Sequence, residues 1–226
     1  MNKNIPKCIG IIMDGNRRFA KSKGETPSWG HKEGYKTFKN FLEWSKDLKI
    51  ETVIAYCFSS ENWKRSEKEV AFILSLFRLA LSEIQNKKND VGEVIFIGER
   101  KHFPKDIVEK MEKTEKETKN NKGTHVVLAL SYGGRNEIKR AVEKIVKDSP
   151  KEISEETINK YLDTKDIGDP DMIIRTGGEI RLSNFLLWQI AYSELFFTKT
   201  LWPAFTREEF ESMLEEYAKR KRNFGV

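Results

Sequence analysis

Arginine recurs in this sequence at places suited to holding a phosphate. Four stretches stand directly behind apolar runs: Asp14-Gly15-Asn16-Arg17-Arg18, Ser59-Ser60-Glu61-Asn62-Trp63-Lys64-Arg65, Tyr132-Gly133-Gly134-Arg135-Asn136, and Arg175-Thr176-Gly177-Gly178-Glu179-Ile180-Arg181-Leu182-Ser183-Asn184. A guanidinium offers a planar fork of donors that matches phosphate oxygens, and small residues let backbone N–H groups approach an anion closely. Asp14 adds a carboxylate, and Mg²⁺ needs only one or two of these when a substrate phosphate and water supply the other ligands. The set therefore suits a diphosphate carried with a divalent cation. A second reading of Asp14 stays open, that of a cap for a helix starting near Arg17. His31, after Gly30 at a helix start, is open between packing and phosphate contact, whereas His102 and His125 read as packing or surface residues without metal spacing. No G-x-x-x-x-G-K-[ST], G-x-G-x-x-G or G-x-S-x-G occurs, which directs the reading away from nucleotides and from a serine nucleophile.

The elements that would carry these turns follow from periodicity. Apolar, β-branched runs at 8–13, 52–58, 93–98, 125–131, 172–175 and 194–197 alternate with helical patterns at about 31–47, 66–89, 105–119, 135–147, 154–162 and 206–221. Such alternation predicts an α/β fold, a single domain over residues 1–226 with a central, largely parallel sheet of about six strands flanked by helices. Segments 119–124 and 163–171 read as loops. In such a sheet ligands bind beyond the carboxyl ends of the strands, so the four arginine turns are expected to converge on one edge.

Composition narrows the class. A chain of 226 residues with 38% apolar content and 14 Phe can bury a substantial core. No run reaches the roughly 18 apolar residues of a membrane span and the N-terminus shows no signal-peptide pattern, so a cytoplasmic protein is expected. Cys8 and Cys57 lie in strand-like runs without ligand spacing and read as buried free thiols. The net charge of +6 and a pI near 9.1 call for acidic partners, but most lysines alternate with glutamate on helical faces. A nucleic-acid partner leaves the glycine turns unexplained and is not expected. Segment 66–89 carries more apolar residues than one helical stripe, among them Val70, Ile73, Leu76, Phe77 and Ile84. That excess fits either a helix buried on two faces or one that also walls an apolar channel.

The stretches IIMDGNRRFAK, YCFSSENWKR, SYGGRNEI, DMIIRTGGEIRLSNFLLWQIAYSELFF and LWPAF resemble, in order and spacing, blocks of the cis-prenyltransferases of the undecaprenyl diphosphate synthase type. The resemblance spans nearly the whole chain. It implies a homodimer of α/β subunits, each enclosing a hydrophobic tunnel. It also implies Mg²⁺-dependent cis-addition of isopentenyl diphosphate to an allylic diphosphate such as farnesyl diphosphate. The implied product is undecaprenyl diphosphate for the cell-wall lipid carrier, with transient contact at a membrane surface for release. The basic tail at 219–222 reads first as an ordinary solvated helix end, with contact to an anionic surface as the second reading. Carried over by position, Asp14 resembles the magnesium-binding catalytic residue. Gly15, Asn16 and Arg18 resemble the allylic diphosphate cradle, with Arg17, Phe19 and His31 beside it. Arg175, Arg181 and Ser183 resemble the isopentenyl diphosphate clamp, and Glu194 a second metal ligand in the dimer. Phe58, Ser59, Ser60, Glu61, Asn62, Trp63, Lys64, Arg65 and Glu69 match a flexible substrate-handling segment, in which Asn62 stands near proton removal. The chain departs from the pattern at Pro27, where the family usually has Arg, so that one diphosphate contact is either missing or supplied by another residue such as Lys21 or Lys23. It departs also at Phe19 in place of Trp and at Ser66 in place of Pro, the latter expected to loosen the second block.

Overall fold

The computed structural model describes residues 5–88 and 91–220. Its six strands are β1 (Cys8–Ile12), β2 (Thr52–Ser59), β3 (Val94–Ile97), β4 (His125–Tyr132), β5 (Met172–Arg175) and β6 (Glu194–Phe197). They form one sheet in the order β3-β4-β2-β1-β5-β6, every adjacent pair parallel. Strand β1 is buried along its whole length and β4 nearly so, as continuous apolar runs require in a sheet covered on both faces.

Seven α-helices flank the sheet among the described residues: α1 (Asn16–Ser22), α2 (Pro27–Asp47), α3 (Glu67–Asn86), α4 (Lys105–Thr118), α5 (Gly134–Asp148), α6 (Glu155–Tyr161) and α7 (Arg207–Lys219). On one face Ile9, Ile11, Val53 and Leu128 pack with Phe41 of α2, Ile73 and Leu81 of α3, Met111 of α4 and Phe210 of α7. On the other, Ile12, Ile54, Val127 and Ile173 meet Phe185 and Leu186 of an irregular segment after β5. Residues 89, 221 and 222, which the sequence reading assigns to helix ends and the basic tail, lie outside the described residues.

All six strands stand where periodicity predicts them, but α2 starts earlier than expected and α1 lies in none of the expected helical segments. Helix α2 opens at Pro27, four residues before the expected 31. Thr26 Oγ1 caps it by accepting from Trp29 N at 3.3 Å, and proline suits the first helical position because its missing N–H is not needed there. The departure at Pro27 is thus a helix start, and Gly30 and His31 lie inside the first turns. Ser66 likewise caps α3, accepting from Glu69 N at 3.4 Å. It fixes the boundary that it was expected to loosen.

The topology decides where a site can form. From β1 the chain moves one way to β2, and it later enters β5 on the opposite side of β1. The switch point therefore lies between β1 and β5, where diverging connections leave a crevice.

Candidate active site at the carboxyl ends of the central strands

Asp14 follows β1 and Arg175 ends β5, on the two sides of that crevice. Gly15 turns the chain there with φ 114°, a left-handed conformation that glycine adopts without steric penalty. The Thr176 hydroxyl donates to Asp14 O at 2.8 Å and accepts from Asp14 N at 3.1 Å, stitching the two strand ends together. The Asp14 carboxylate makes no helix cap. Gly15 occupies the cap position of α1 with no side-chain bond, and Asp14 Oδ2 instead meets Arg175 Nη2 at 3.0 Å and Arg18 Nη2 at 3.1 Å. The capping alternative for Asp14 falls on this geometry.

Arg175 is 3% exposed. Its Nη1 donates to Arg181 O at 2.5 Å and to Ser183 Oγ at 2.7 Å, so the guanidinium holds the segment after β5 from inside. Ser183 and Asn184 both have left-handed backbones, φ 49° and 68°. Non-glycine residues keep that conformation only where their surroundings impose it. Tyr56 OH donates to Ser183 O at 3.3 Å, and Asn184 ties the neighbouring turns. Its Oδ1 accepts from Arg135 N at 2.9 Å, its backbone O from Gly134 N at 2.7 Å, and its Nδ2 donates to Glu61 Oε1 at 3.1 Å. The four turns converge, but the third, Tyr132–Asn136, contributes backbone, and the Arg135 side chain lines neither cavity described below.

The second block is a short 3₁₀ turn, Ser60–Lys64. Asn62 Oδ1 accepts from Ser59 N at 3.1 Å, and Ser60 Oγ donates to Glu61 Oε2 at 3.2 Å. Burial opposes ionisation of Glu61, yet hydrogen bonds from its own backbone, Ser59 and Asn184 hold its pKa below the ordinary range. Trp63 anchors the turn, its Nε1 donating to Ser131 Oγ at 2.9 Å and its ring packing on Phe58 and Phe103.

Arg65, Glu69 and His31 close the rim. Glu69 Oε1 accepts from Arg65 Nη1 and lies against His31 Nε2, both at 3.0 Å. Although burial works against its charge, these partners hold Glu69 below the usual carboxylate range. For His31 burial prevails, and its pKa falls below the ordinary 6.5 even though the Glu69 bond pulls it up. The unfolded chain consequently takes up a proton near pH 6.5 that the folded chain does not, so stability present above that pH is lost as pH falls through it. Thermal unfolding followed from about pH 8 to 5 should show a steeper fall of the midpoint below about 6.5 for the native chain than for His31→Gln. Equal slopes would refute a neutral His31.

Two cavities meet here. One of about 280 Å³ is lined by Gly15, Arg17, Arg18, Arg65, Glu179 and Arg181 together with Met13, Asp14, Asn16 and His31. The other, of about 650 Å³, shares Met13, Asp14, Asn16, His31 and Arg65, takes in Ser59, Glu61, Asn62, Arg175 and Ser183, and continues between Phe38, Phe77, Leu81, Ile84, Phe96 and Leu128. A cationic chamber thus opens onto an apolar one. On α3, Ile73, Leu74 and Leu81 are buried, and Leu76, Phe77, Ala80 and Ile84 line the cavity. The α2 stripe of His31, Gly34, Tyr35 and Phe38 forms the facing wall, which sequence reading missed although the spacing i, i+3, i+4, i+7 announces it. Gly34 is required there, because a Cβ would stand 2.2 Å from Asn16 Oδ1.

Phe19, Phe58, Ser60, Trp63, Lys64 and Glu69 line neither cavity. Phe58 is core, and Phe19 stacks on Trp29 at 5.7 Å. Glu194 begins β6 in register with Met172, about 10 Å along the sheet from Arg175, and pairs with Arg220 at 2.6 Å. One chain therefore does not bring Glu194 to Asp14. No group of three His, Cys, Asp or Glu able to hold a metal occurs among the described residues, and none of the described helices is long and apolar enough to cross a membrane.

Three buried side-chain atoms lack a hydrogen-bond partner among the described residues: Gln189 Oε1, which belongs to a residue lining neither cavity, and two others, Arg175 Nε and Asn16 Oδ1. Both belong to residues lining the larger cavity, and a buried polar group left over in this way fits a site completed by a ligand.

Comparison with known proteins finds relatives along nearly the whole chain. Residues 12–225 match the family described as "Putative undecaprenyl diphosphate synthase". An isoprenyl transferase of Fusobacterium nucleatum is 45% identical over 229 residues, covering 100% of this chain and 98% of that protein. A tritrans,polycis-undecaprenyl-diphosphate synthase (geranylgeranyl-diphosphate specific) of Thermococcus kodakarensis is 42% identical, covering 98% and 88%. Among solved structures, lavandulyl diphosphate synthase from Lavandula x intermedia in complex with dimethylallyl diphosphate superposes with a TM-score of 0.92 at 33% identity, covering 98% and 99% of the two chains.

Proposed function

Since the chain belongs to the undecaprenyl diphosphate synthase family of cis-prenyltransferases and is an isoprenyl transferase, we propose that it lengthens farnesyl diphosphate by consecutive cis-additions of isopentenyl diphosphate to undecaprenyl diphosphate. The observation that carries this reading is the junction at Asp14 of an arginine-lined chamber with an apolar cavity. An amphiphile with an anionic head and a hydrocarbon tail fits such a pair. A solvent-exposed basic face would not need the second cavity.

In the reaction the allylic C–O bond breaks and its electron pair leaves with the diphosphate. The isopentenyl double bond supplies the pair that joins its terminal carbon to the allylic C1, and the electron pair of a C–H bond on the adjacent methylene becomes the new double bond as its proton passes to an oxygen of the departing diphosphate. Arg17, Arg18 and the backbone after Gly15 would receive the departing diphosphate, where fixed positive groups stabilise charge that develops in the transition state. Arg175, Arg181 and Ser183 would seat the isopentenyl diphosphate. Asn62 lies on the wall near both and would orient the proton-accepting oxygen. Asp14 would hold Mg²⁺ as its one protein carboxylate in this chain, and the ion would supply charge neutralisation to the leaving diphosphate. The apolar wall keeps water from the allylic cation, and each methylene entering it gains about 0.8 kcal/mol of transfer free energy.

A homodimer is part of the proposal. Strand β6 is a sheet edge beside the exposed Tyr192 and Leu195, the type of surface a second copy covers. A partner's Glu194 would supply the second metal ligand that one chain does not provide. Release of so apolar a product would bring the cytoplasmic protein into transient contact with a membrane surface.

The experiment is incubation of the purified protein with labelled isopentenyl diphosphate and either farnesyl or geranylgeranyl diphosphate, with and without Mg²⁺. A magnesium-dependent ladder ending at eleven isoprene units supports the reading. Incorporation only from the longer starter would replace farnesyl diphosphate, and a shorter end-point would replace the product.

A further inference from the structure

The wall of the larger cavity contains one polar seam. Tyr35 of α2 lines the cavity opposite Ala80 and Ile84 of α3, but its hydroxyl leaves the apolar space and donates to Glu83 Oε2 at 2.9 Å. The same oxygen accepts from Lys39 Nζ at 3.1 Å, and Lys39 lies 4.8 Å from the centre of the Tyr35 ring. Glu83 and Lys39 have side chains 37% and 48% exposed. The Tyr35 ring, pinned from the solvent side, thus stands between the apolar interior and the partly exposed Glu83–Lys39 pair.

Packing explains why the closure is local. Above it, α2 and α3 are joined through His31 and Glu69 at the rim; below it, Phe41 and Leu81 are buried core. At the seam, Ala80 presents only a methyl group to Tyr35. The link beyond the ring is a tyrosine hydrogen bond and a solvent-exposed ion pair, and exposed pairs of this type hold weakly. An apolar chain that has filled the cavity meets core residues on its other sides and would have to part only these contacts to continue.

We infer that the Tyr35–Glu83–Lys39 contact is a lateral closure of the cavity and a determinant of product length. The inference rests on the elongation reading above and deepens it. Elongation stops when the next isoprene unit would have to open the seam and face water. Burial drives the Tyr35 pKa upward, and the bonds from Tyr35 and Lys39 hold Glu83 below its ordinary range against its desolvation, so the phenol and the carboxylate keep the protonation states that the bond needs throughout the neutral range.

The test compares the native chain with Glu83→Gln, Tyr35→Phe and Tyr35→Ala by mass analysis of the products at excess isopentenyl diphosphate, with detergent present to receive long chains. Separate single-addition assays measure the first condensation. Expected is a shift of the end-point upward by one or more isoprene units, largest for Tyr35→Ala, with the first condensation unchanged in Glu83→Gln, whose side chain does not line the cavity. Glu83→Gln changes only a surface group and keeps the test valid should Tyr35→Ala unfold. An end-point identical to that of the native chain in Glu83→Gln and Tyr35→Phe would overturn the inference and leave the elongase reading intact. Absence of any ladder from the native chain would instead overturn the elongase reading.

Discussion

Asp14→Asn leaves a folded protein with turnover lower by about 10²- to 10³-fold, the magnitude seen when one preorganised electrostatic contact to a transition state is removed. The fold survives because the stitching of β1 to β5 runs through the Asp14 backbone and the Thr176 hydroxyl, which the substitution does not touch. Asparagine also keeps an acceptor oxygen at the position that now meets Arg175 and Arg18. What is lost is the negative charge at the junction of the two chambers. Without it the arginines should bind diphosphate at least as well, but the proposed Mg²⁺ would lose the Asp14 carboxylate, so that kcat should fall while KM for isopentenyl diphosphate holds or drops. Steady-state kinetics over a magnesium titration check this, the variant giving a flat, low response. Native turnover with a native magnesium dependence would remove Asp14 from the chemistry.

The sheet and the turns at its edge are legible in the sequence for a definite reason. A parallel sheet covered on both faces writes itself as uninterrupted apolar runs, so CIGII, TVIAYCFS and HVVLALSY marked their own positions, and the turns behind them had to fall at one edge. Arg175, Ser183 and Asp14 meet because β1 and β5 are neighbours on the two sides of the switch point. Sequence does not show which atoms a turn contributes. Arg135 looked like a fourth phosphate ligand, yet its backbone N–H is what the turn gives, to Asn184. Pro27 looked like a lost contact and is the start of a helix. The α2 wall went unread because its stripe is mixed, with Gly34, Tyr35 and His31 beside Phe38, so hydrophobicity alone does not mark the face. Glu194 shows the limit most plainly. Its place beside Asp14 follows only from the family resemblance and a second copy, and within the chain its partner is Arg220.

Arg175→Lys has the other large effect, and it separates position from charge. Lysine keeps the positive charge next to Asp14 but has one nitrogen on a flexible stem, where arginine sends Nη1 to Arg181 O and Ser183 Oγ and Nη2 to Asp14 Oδ2. At 3% exposure water does not replace the lost bonds, and each buried acceptor left unmade costs about 1–3 kcal/mol. Ser183 and Asn184 then lose the support that keeps them left-handed, a conformation carrying roughly 1–3 kcal/mol of strain per residue. Relaxation of that turn moves Ser183 off the substrate and releases Asn184 from Glu61 together. We expect kcat/KM for isopentenyl diphosphate to fall by about 10²- to 10³-fold, and the thermal midpoint by several degrees at about 2–4 °C per kcal/mol for a chain of this size. Ser183→Ala removes one bond of the same set and should lose only about tenfold, near the 1.4 kcal/mol that a tenfold change represents, with little change in midpoint. If charge alone mattered, Arg175→Lys would match the native enzyme and Ser183→Ala would be silent. If Arg175 served the fold alone, both variants would lose stability without a change in KM. A rise in KM that is large for Arg175→Lys and modest for Ser183→Ala is what a guanidinium holding a strained turn against its substrate produces.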